Sequence, residues 1–249
     1  MKHGLFTTVS LIALTAGAAT MGLWALGSLN LGQKRRNRGG WIAATNGADN
    51  HAADNTALTR RFLLYYIVPL WLVAGIADWI CHRATDIEHT TGAKESLLHL
   101  LMLSEASIPV LAGFFLEVTA PVAGLMIAGF CLHEVTALWD VSYAVTRRNV
   151  TPIEQHVHSF LEMVPLMGVS FVAVLHWPQF KALIGQGNEP ADLSIRAKGE
   201  PLPPGYVPAA LGSMSLFEVL PYLEELIRSL RANNGRLVPS GGAEPSHRQ

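Results

Sequence analysis

Charged residues are scarce in this chain of 249 residues. Asp, Glu, Lys and Arg make up 15%, whereas half of the residues are hydrophobic and the mean hydropathy is +0.28. So little charge is unusual for a soluble domain and favours membrane segments. The formal net charge of −1 offers no overall attraction for nucleic acid, so we expect no nucleic-acid partner.

Cysteine is also scarce. Cys81 and Cys131 are the two cysteines, and both lie in or beside apolar segments. Two cysteines this far apart are too few for a disulfide framework or a Cys-based zinc site, so we expect buried thiols. Any metal ligands must therefore come from other residue types. Internal repeats are absent as well.

Five windows are apolar over the roughly 20 residues that a membrane-spanning helix needs. They predict an all-α polytopic membrane protein with five transmembrane helices, of which helices two to five form a four-helix bundle with a polar core. Thirteen of the 18 basic residues then fall on one side, which predicts an N-terminus outside, a cytoplasmic C-terminal tail and a bacterial inner membrane. The windows run at about 4–31, 62–81, 97–116, 121–144 and 157–177.

The predicted organisation has four regions. The regions are transmembrane helix one at 1–32, a cytoplasmic loop at 33–61, the bundle at 62–178 and a cytoplasmic tail at 179–249. Region 1–32 has a rival interpretation as a secretory signal peptide, because Lys2 precedes an apolar stretch with small residues.

The tail contains a predicted amphipathic helix at 214–232. Its apolar residues recur at helical spacing and would lie on the membrane surface or on a partner. The apolar stripe contains Leu216, Val219, Leu220, Leu223, Leu226, Ile227 and Leu230, and the opposite side contains Glu224, Glu225, Arg228 and Arg231.

Acid and histidine side chains recur on all four bundle helices. Helix two ends with Asp78 and His82, and helix three begins with Glu95 and His99, each pair four residues apart and so on one helix face. Ionisable residues inside spanning segments are costly and are therefore functional candidates. The same pattern on helices four and five contributes His133, Asp140, Glu154, His158 and Glu162.

These groups share one depth. Helices two and four end, and helices three and five begin, at the same membrane face, within about two or three turns of it. Facing helices of a bundle build metal sites in this way, so the sequence predicts a metal site near the outer face. Outside the ligand set, Glu105, Glu134 and His156 are candidate second-layer partners or proton carriers, and Arg83 and Arg148 are candidates to hold a substrate head group, to bind lipid phosphate or to neutralise the acids.

Imidazole and carboxylate without thiolate favour iron, manganese or zinc. Several acids with two or more histidines could hold two divalent metals, and we expect two irons. The set is similar in chemistry to di-iron carboxylate bundles, although those pair Glu with His three residues apart and the spacing here is four. The histidine boxes of membrane desaturases, HxxxH and HxxHH, are not reproduced.

The sequence favours a membrane oxidoreductase or oxygenase. It would use the metals near the outer face on a hydrophobic or lipid substrate, with a separate electron donor. Three alternatives stay open: a metal-ion or proton-coupled transporter, a b-type haem protein, and a structural membrane subunit whose polar core only packs.

Overall fold

The structure is a computed structural model that describes residues 45–240 and the side chains of 54–240. Every regular element in this range is a helix, which confirms the all-α class. Four helices in the range are long and apolar enough to cross a membrane, so an integral membrane protein is supported. The predicted first transmembrane helix, 1–32, lies outside the described residues.

The four candidate spans agree with the four predicted windows and extend most of them. The spans are Asp54–Thr85, Ala93–Phe115, Ala120–Ala144 and Pro152–Leu175. In chain order the helices are α1 (Thr45–Phe62), α2 (Val68–Thr85), α3 (Ile87–Thr90), α4 (Ala93–Phe115), α5 (Ala120–Ala144), α6 (Pro152–Leu175), α7 (Trp177–Leu183), α8 (Tyr206–Met214) and α9 (Leu220–Ala232), with π-helical segments at Leu63–Ile67 and Ser215–Val219.

The chain divides into two compact units, and the first ends at Val73. Its described part contains α1 and the first π-helical segment. Residues 45–61 were assigned to a loop because they are polar, yet the structure makes them helical. The stretch leads without a gap into the apolar span, so its backbone continues the helix of that span toward the N-terminus.

The second unit, from Ala74 onward, contains the remainder of α2 and helices α3 to α9. Helices α4 and α5 form an antiparallel hairpin. At the closed end of this hairpin the interior is apolar and centres on Val122, Ala123 and Met126. Apolar side chains also point outward within the spans: Val135 and Leu138 of α5 are 68% and 71% exposed, and Met163 near the middle of α6 is 50% exposed. An apolar exterior at this depth matches a lipid environment.

The segment after α7 folds back onto the hairpin. The backbone nitrogen of Ala120 donates to the carbonyl of Asp192, and that of Lys198 donates to Phe115. Leu116 and Ala197 form an isolated antiparallel bridge. We call this end of the unit the hairpin end, and the opposite end, where α2 ends and α4 begins, the site end.

Candidate metal centre

Two histidines stack face to face inside the site end. The ring centroids of His82 and His99 are 4.4 Å apart, and the planes are within 9° of parallel. Both side chains are buried. Each follows an acid by four residues, so Asp78 and Glu95 lie on the same helix faces as their histidines.

The carboxylate of Glu225 in α9 contacts both rings. One oxygen is 2.9 Å from Nδ1 of His82, and the other is 2.8 Å from Nδ1 of His99. Because a carboxylate accepts, each neutral ring donates through Nδ1–H and leaves a lone pair on Nε2. Neither Nε2 makes a hydrogen bond with any described residue, so both are free to ligate.

Asp78, Glu154 and His158 surround the free nitrogen of His82. Its Nε2 lies 3.4 Å from Oδ2 of Asp78 and 3.6 Å from Oε1 of Glu154. The other oxygen of Asp78 is 2.9 Å from Nε2 of His158. Ligand atoms of Asp78, His82 and His158 all lie within 4.8 Å of one another, which is close enough to share one metal ion with small adjustments of the side chains.

Asp140 and Glu95 lie beside the free nitrogen of His99. Its Nε2 is 3.4 Å from Oδ2 of Asp140 and 4.0 Å from Oε1 of Glu95. Ligand atoms of His82, Glu95 and His99 form a second group within 4.8 Å. The two groups share His82, whose one free nitrogen can ligate a single ion, so the groups are adjacent candidate positions.

Among the residues that the structure describes, Arg148 is the one guanidinium buried in this cluster. Its Nη2 is 2.5 Å from Oε1 of Glu95 and 2.6 Å from Oε1 of Glu154. Burial lowers the pKa of Arg148, but the bonds to the two carboxylates outweigh it and raise the pKa above its usual value. The side chain therefore stays charged and links the two halves of the site.

Local sequence orients Glu154. Thr151 caps the first turn of α6: its hydroxyl accepts from the backbone nitrogen of Glu154 at 3.2 Å, and Oε2 of Glu154 accepts from the backbone nitrogen of Thr151 at 3.3 Å. These two reciprocal bonds form a capping box. With Oε2 engaged in the cap, Oε1 is the oxygen that faces Arg148 and His82.

The buried charges of the cluster do not balance. Among the described residues, five buried carboxylates lie within 4.0 Å of a ring nitrogen of His82 or His99, against one buried guanidinium, which leaves four negative charges. Glu218 is buried as well but forms no ion pair with these histidines. Uncompensated charge in a low-dielectric interior is very costly. Two divalent cations would neutralise the cluster with all histidines neutral, whereas protonating three histidines would supply one charge too few and place like charges on stacked rings. The carboxylates are Asp78, Glu95, Asp140, Glu154 and Glu225.

The structure brings seven of the nine predicted ligands together, and two lie elsewhere. His133 hydrogen-bonds the carbonyl of Met102 at 3.2 Å, because seven residues place it about 10 Å deeper than Asp140. Glu162 is exposed. Each set of four residues rotates about 40° beyond a full helical turn. Glu162 is eight residues after Glu154, so its side chain points roughly 80° away from that of Glu154.

The other predicted residues also lie away from the cluster, apart from Arg148. Glu105 accepts from the hydroxyl of Thr136 at 2.9 Å, and Glu134 is half-buried. His156 is exposed and packs edge-on against Phe160. Arg83 is 47% exposed and bonds Glu224, whereas Arg148 is buried and bonds Glu95 and Glu154.

Helix α9 contributes to the cluster, which was not predicted from the sequence. Glu225 was assigned to the polar side of a surface helix, yet it is fully buried. Tyr222, one turn earlier, donates to Oδ2 of Asp78 at 3.1 Å. The usable signal is the spacing of Glu218, Tyr222, Glu225 and Ser229, which places four polar side chains on one stripe of the helix.

No family model, curated protein or solved structure matches this chain. The chemistry is therefore argued from the arrangement of the site.

Proposed function

We propose that the cluster is a dinuclear metal centre in the membrane, of the di-iron carboxylate type, and that the protein is a membrane oxidoreductase. One observation carries the proposal. A single buried carboxylate, Glu225, holds Nδ1 of two parallel histidines and leaves both Nε2 atoms free on the side where four carboxylates converge. Metal-bound histidines commonly donate their second nitrogen to a carboxylate in this manner.

The ring spacing supports two metals rather than one. Because Glu225 bonds both Nδ1 atoms, the Nε2 edges of His82 and His99 face the same way. Parallel rings 4.4 Å apart that each bind one ion would hold the ions at a similar spacing, close to the ~3.5–4 Å of two-metal sites. Asp78 and Glu154 would complete the position at His82 together with His158, and Glu95 and Asp140 the position at His99.

The same geometry argues against a b-type haem. Two axial histidines must point at one iron from opposite faces of the macrocycle. The rings of His82 and His99 instead stack face to face with their centroids 4.4 Å apart, which leaves no gap for a macrocycle. A haem between them would require one helix to turn.

Burial suggests the class of reaction. The histidine and carboxylate donors are almost closed to water, and His158 at 13% exposure is the most open of them. His158 belongs to α6, whose span is the least buried of the four at 11%. A dry site reached from the bilayer suits oxidation of a hydrophobic or lipid C–H bond better than hydrolysis. The balanced reaction is RH + O2 + 2e− + 2H+ → ROH + H2O, with both electrons from a separate donor.

Proton-coupled or metal-ion transport is the second candidate. Glu105 and Glu134 lie deeper in the spans, and each has a buried carboxylate oxygen without a hydrogen bond to any described residue. Such groups serve as proton relays in transporters. Metal or proton flux in proteoliposomes that is lost in Glu105→Gln would favour transport over oxidation.

Paired substitutions test the proposed centre. Glu225→Gln replaces the acceptor that holds both histidines, and we expect it to lower metal affinity about 10- to 100-fold. Glu224→Gln changes the adjacent residue, which is 40% exposed and bonds Arg83 and Arg228, and should retain wild-type metal. The measurement is elemental analysis of detergent-purified protein after dialysis against a weak chelator. Equal metal in both variants would contradict the role of Glu225.

A reaction test follows from the same preparations. Metal-loaded protein given a chemical reductant and a membrane lipid should consume dioxygen, and Glu225→Gln should not. If loaded wild-type protein retains two metals but consumes no dioxygen with any reductant, the centre stands and the oxidoreductase assignment fails.

A further inference from the structure

The last helical stretch of the described chain is long enough to cross a bilayer. Helix α8, the second π-helical segment and α9 run without a break from Tyr206 to Ala232, over 9, 5 and 13 residues. At ~1.5 Å per residue this stretch is about 40 Å long, whereas the hydrocarbon core is about 30 Å thick. We call it the C-terminal helix.

Its two ends lie at opposite ends of the second unit. At the start, the ring of Tyr206 packs edge-on against Phe114, at the hairpin end of α4. At the finish, Arg228 bonds Glu88 and the amide of Asn233 donates to the Glu88 carbonyl at 2.6 Å, both at the site end. The C-terminal helix therefore runs the full length of the spans.

The chain stays at the site end after this helix. The backbone nitrogen of Lys94 donates to the carbonyl of Leu237 at 2.9 Å. Pro239 packs so closely on Gly92 that a Cβ there would lie 2.6 Å from it. Gly92 also has a φ of 73°, which favours glycine.

The faces of the C-terminal helix are reversed relative to a helix in water. Glu218, Glu225 and Ser229 are at most 1% exposed, whereas Leu216 and Leu220 are each 55% exposed. Leu223 and Ile227 are exposed as well. Polar groups inside and leucines outside are the arrangement expected where the surrounding solvent is hydrocarbon. The inward glutamates also explain why hydropathy alone does not mark this stretch as a span.

Aromatic and basic side chains mark the interface at the site end. Arg83 lies over the ring of Trp79, 5.0 Å from its centroid, and Lys94 lies 4.2 Å from the centroid of Tyr143. Such pairs anchor helices at the membrane–water boundary. The exposed leucines of the C-terminal helix lie between this boundary and the hairpin end, which is the depth of the acyl chains.

We propose that Tyr206–Ala232 is a further membrane crossing, with Leu216, Leu220, Leu223 and Ile227 against lipid acyl chains and Glu225 in the metal cluster. The proposal does not depend on bound metal. Residues 233–240 then lie on the membrane side of the loop 145–151, opposite the segment 184–205. The sequence analysis had placed the entire tail from 179 on one side.

Cysteine labelling of the full chain in membranes tests the crossing. Cys81→Ala and Cys131→Ala remove the native thiols, and single cysteines are added at three exposed positions: Thr146→Cys, Asn188→Cys and Ser240→Cys. A membrane-impermeant maleimide is applied to intact right-side-out and inverted vesicles. We expect Ser240→Cys to react from the same side as Thr146→Cys and from the side opposite to Asn188→Cys. Reaction of Ser240→Cys from the side of Asn188→Cys would overturn the proposal.

A photocrosslink tests the lipid contact. Leu220 is replaced by p-benzoylphenylalanine in the full chain, and membranes containing a radiolabelled phospholipid are irradiated. We expect labelled lipid on this variant and at least fivefold less when the photoreactive residue replaces Asn188. A crosslink from position 220 to a second copy of the chain, to its N-terminal segment or to another protein would overturn the assignment of acyl chains to this face.

Discussion

The carboxylate of Glu225 bonds two histidines, one with each oxygen, and these bonds determine which ring nitrogens can bind a metal. Its two oxygens occupy Nδ1 of His82 and His99, so the opposite ring edges carry the free lone pairs. The remaining acids lie within 3.4 to 4.0 Å of those edges. One side chain thus sets the tautomer and direction of both imidazoles.

Arg148 provides a residue-scale prediction. Replacing Arg148 by Met removes the positive charge between Glu95 and Glu154 but keeps the aliphatic stem, and we expect metal-free protein to lose about 3–5 kcal/mol of unfolding free energy. Arg147→Met, next in the chain and packed over Tyr143, should cost less than about 1 kcal/mol. Denaturant unfolding in detergent, after metal removal, measures both. Equal losses in the two variants would show that the Arg148 bonds do not stabilise the cluster.

At the scale of elements, the pairs Asp78–His82 and Glu95–His99 could be predicted because helical period is local information. The depth argument also identified Asp140, Glu154 and His158. Glu162 and His133 lie outside the cluster because small offsets in angle and in axial position accumulate along a helix. Those offsets depend on tilt and packing, which spacing alone does not specify.

Glu225 could not be found by the same reasoning. Periodicity shows that the C-terminal helix has an apolar stripe but not which solvent that stripe faces. With water outside, Leu216 and Leu220 would be buried and Glu225 exposed; the structure has the reverse. The assignment of a face therefore required knowing where both ends of the helix lie.

The N-terminus of α6 provides an element-scale prediction. Thr151→Ala removes the hydroxyl of the capping box, and we expect a loss of about 1 kcal/mol in unfolding free energy. Ser159→Ala is the matched control, since Ser159 is exposed on the same helix and bonds only the carbonyl of Gln155 among the hydrogen bonds described; it should change stability by less than about 0.5 kcal/mol. If Thr151→Ala were as stable as Ser159→Ala, the cap would not position α6 or Glu154.

At the scale of the whole molecule, the second unit is polarised along its length. Its hairpin end has an apolar core around Met126, and its site end holds the buried acids and histidines. If the C-terminal helix crosses the bilayer, Lys181, Arg196 and Lys198 precede the crossing, whereas Arg228 and Arg231 lie in its last turns at the site end and Arg236 follows it. The charge count that placed all seven basic residues after Trp177 on one side then no longer holds.

The charge imbalance of the cluster gives the most direct test of the account. Full-length protein is purified in detergent without added metal or chelator, and its metals and protein are quantified on the same sample, with X-ray absorption to measure the distance between metals. The account predicts about two transition-metal ions per chain with N/O ligands, separated by roughly 3.5–4.5 Å, and no Soret absorbance. Folded protein that carries no metal, and binds none when iron, manganese or zinc is added, would contradict it.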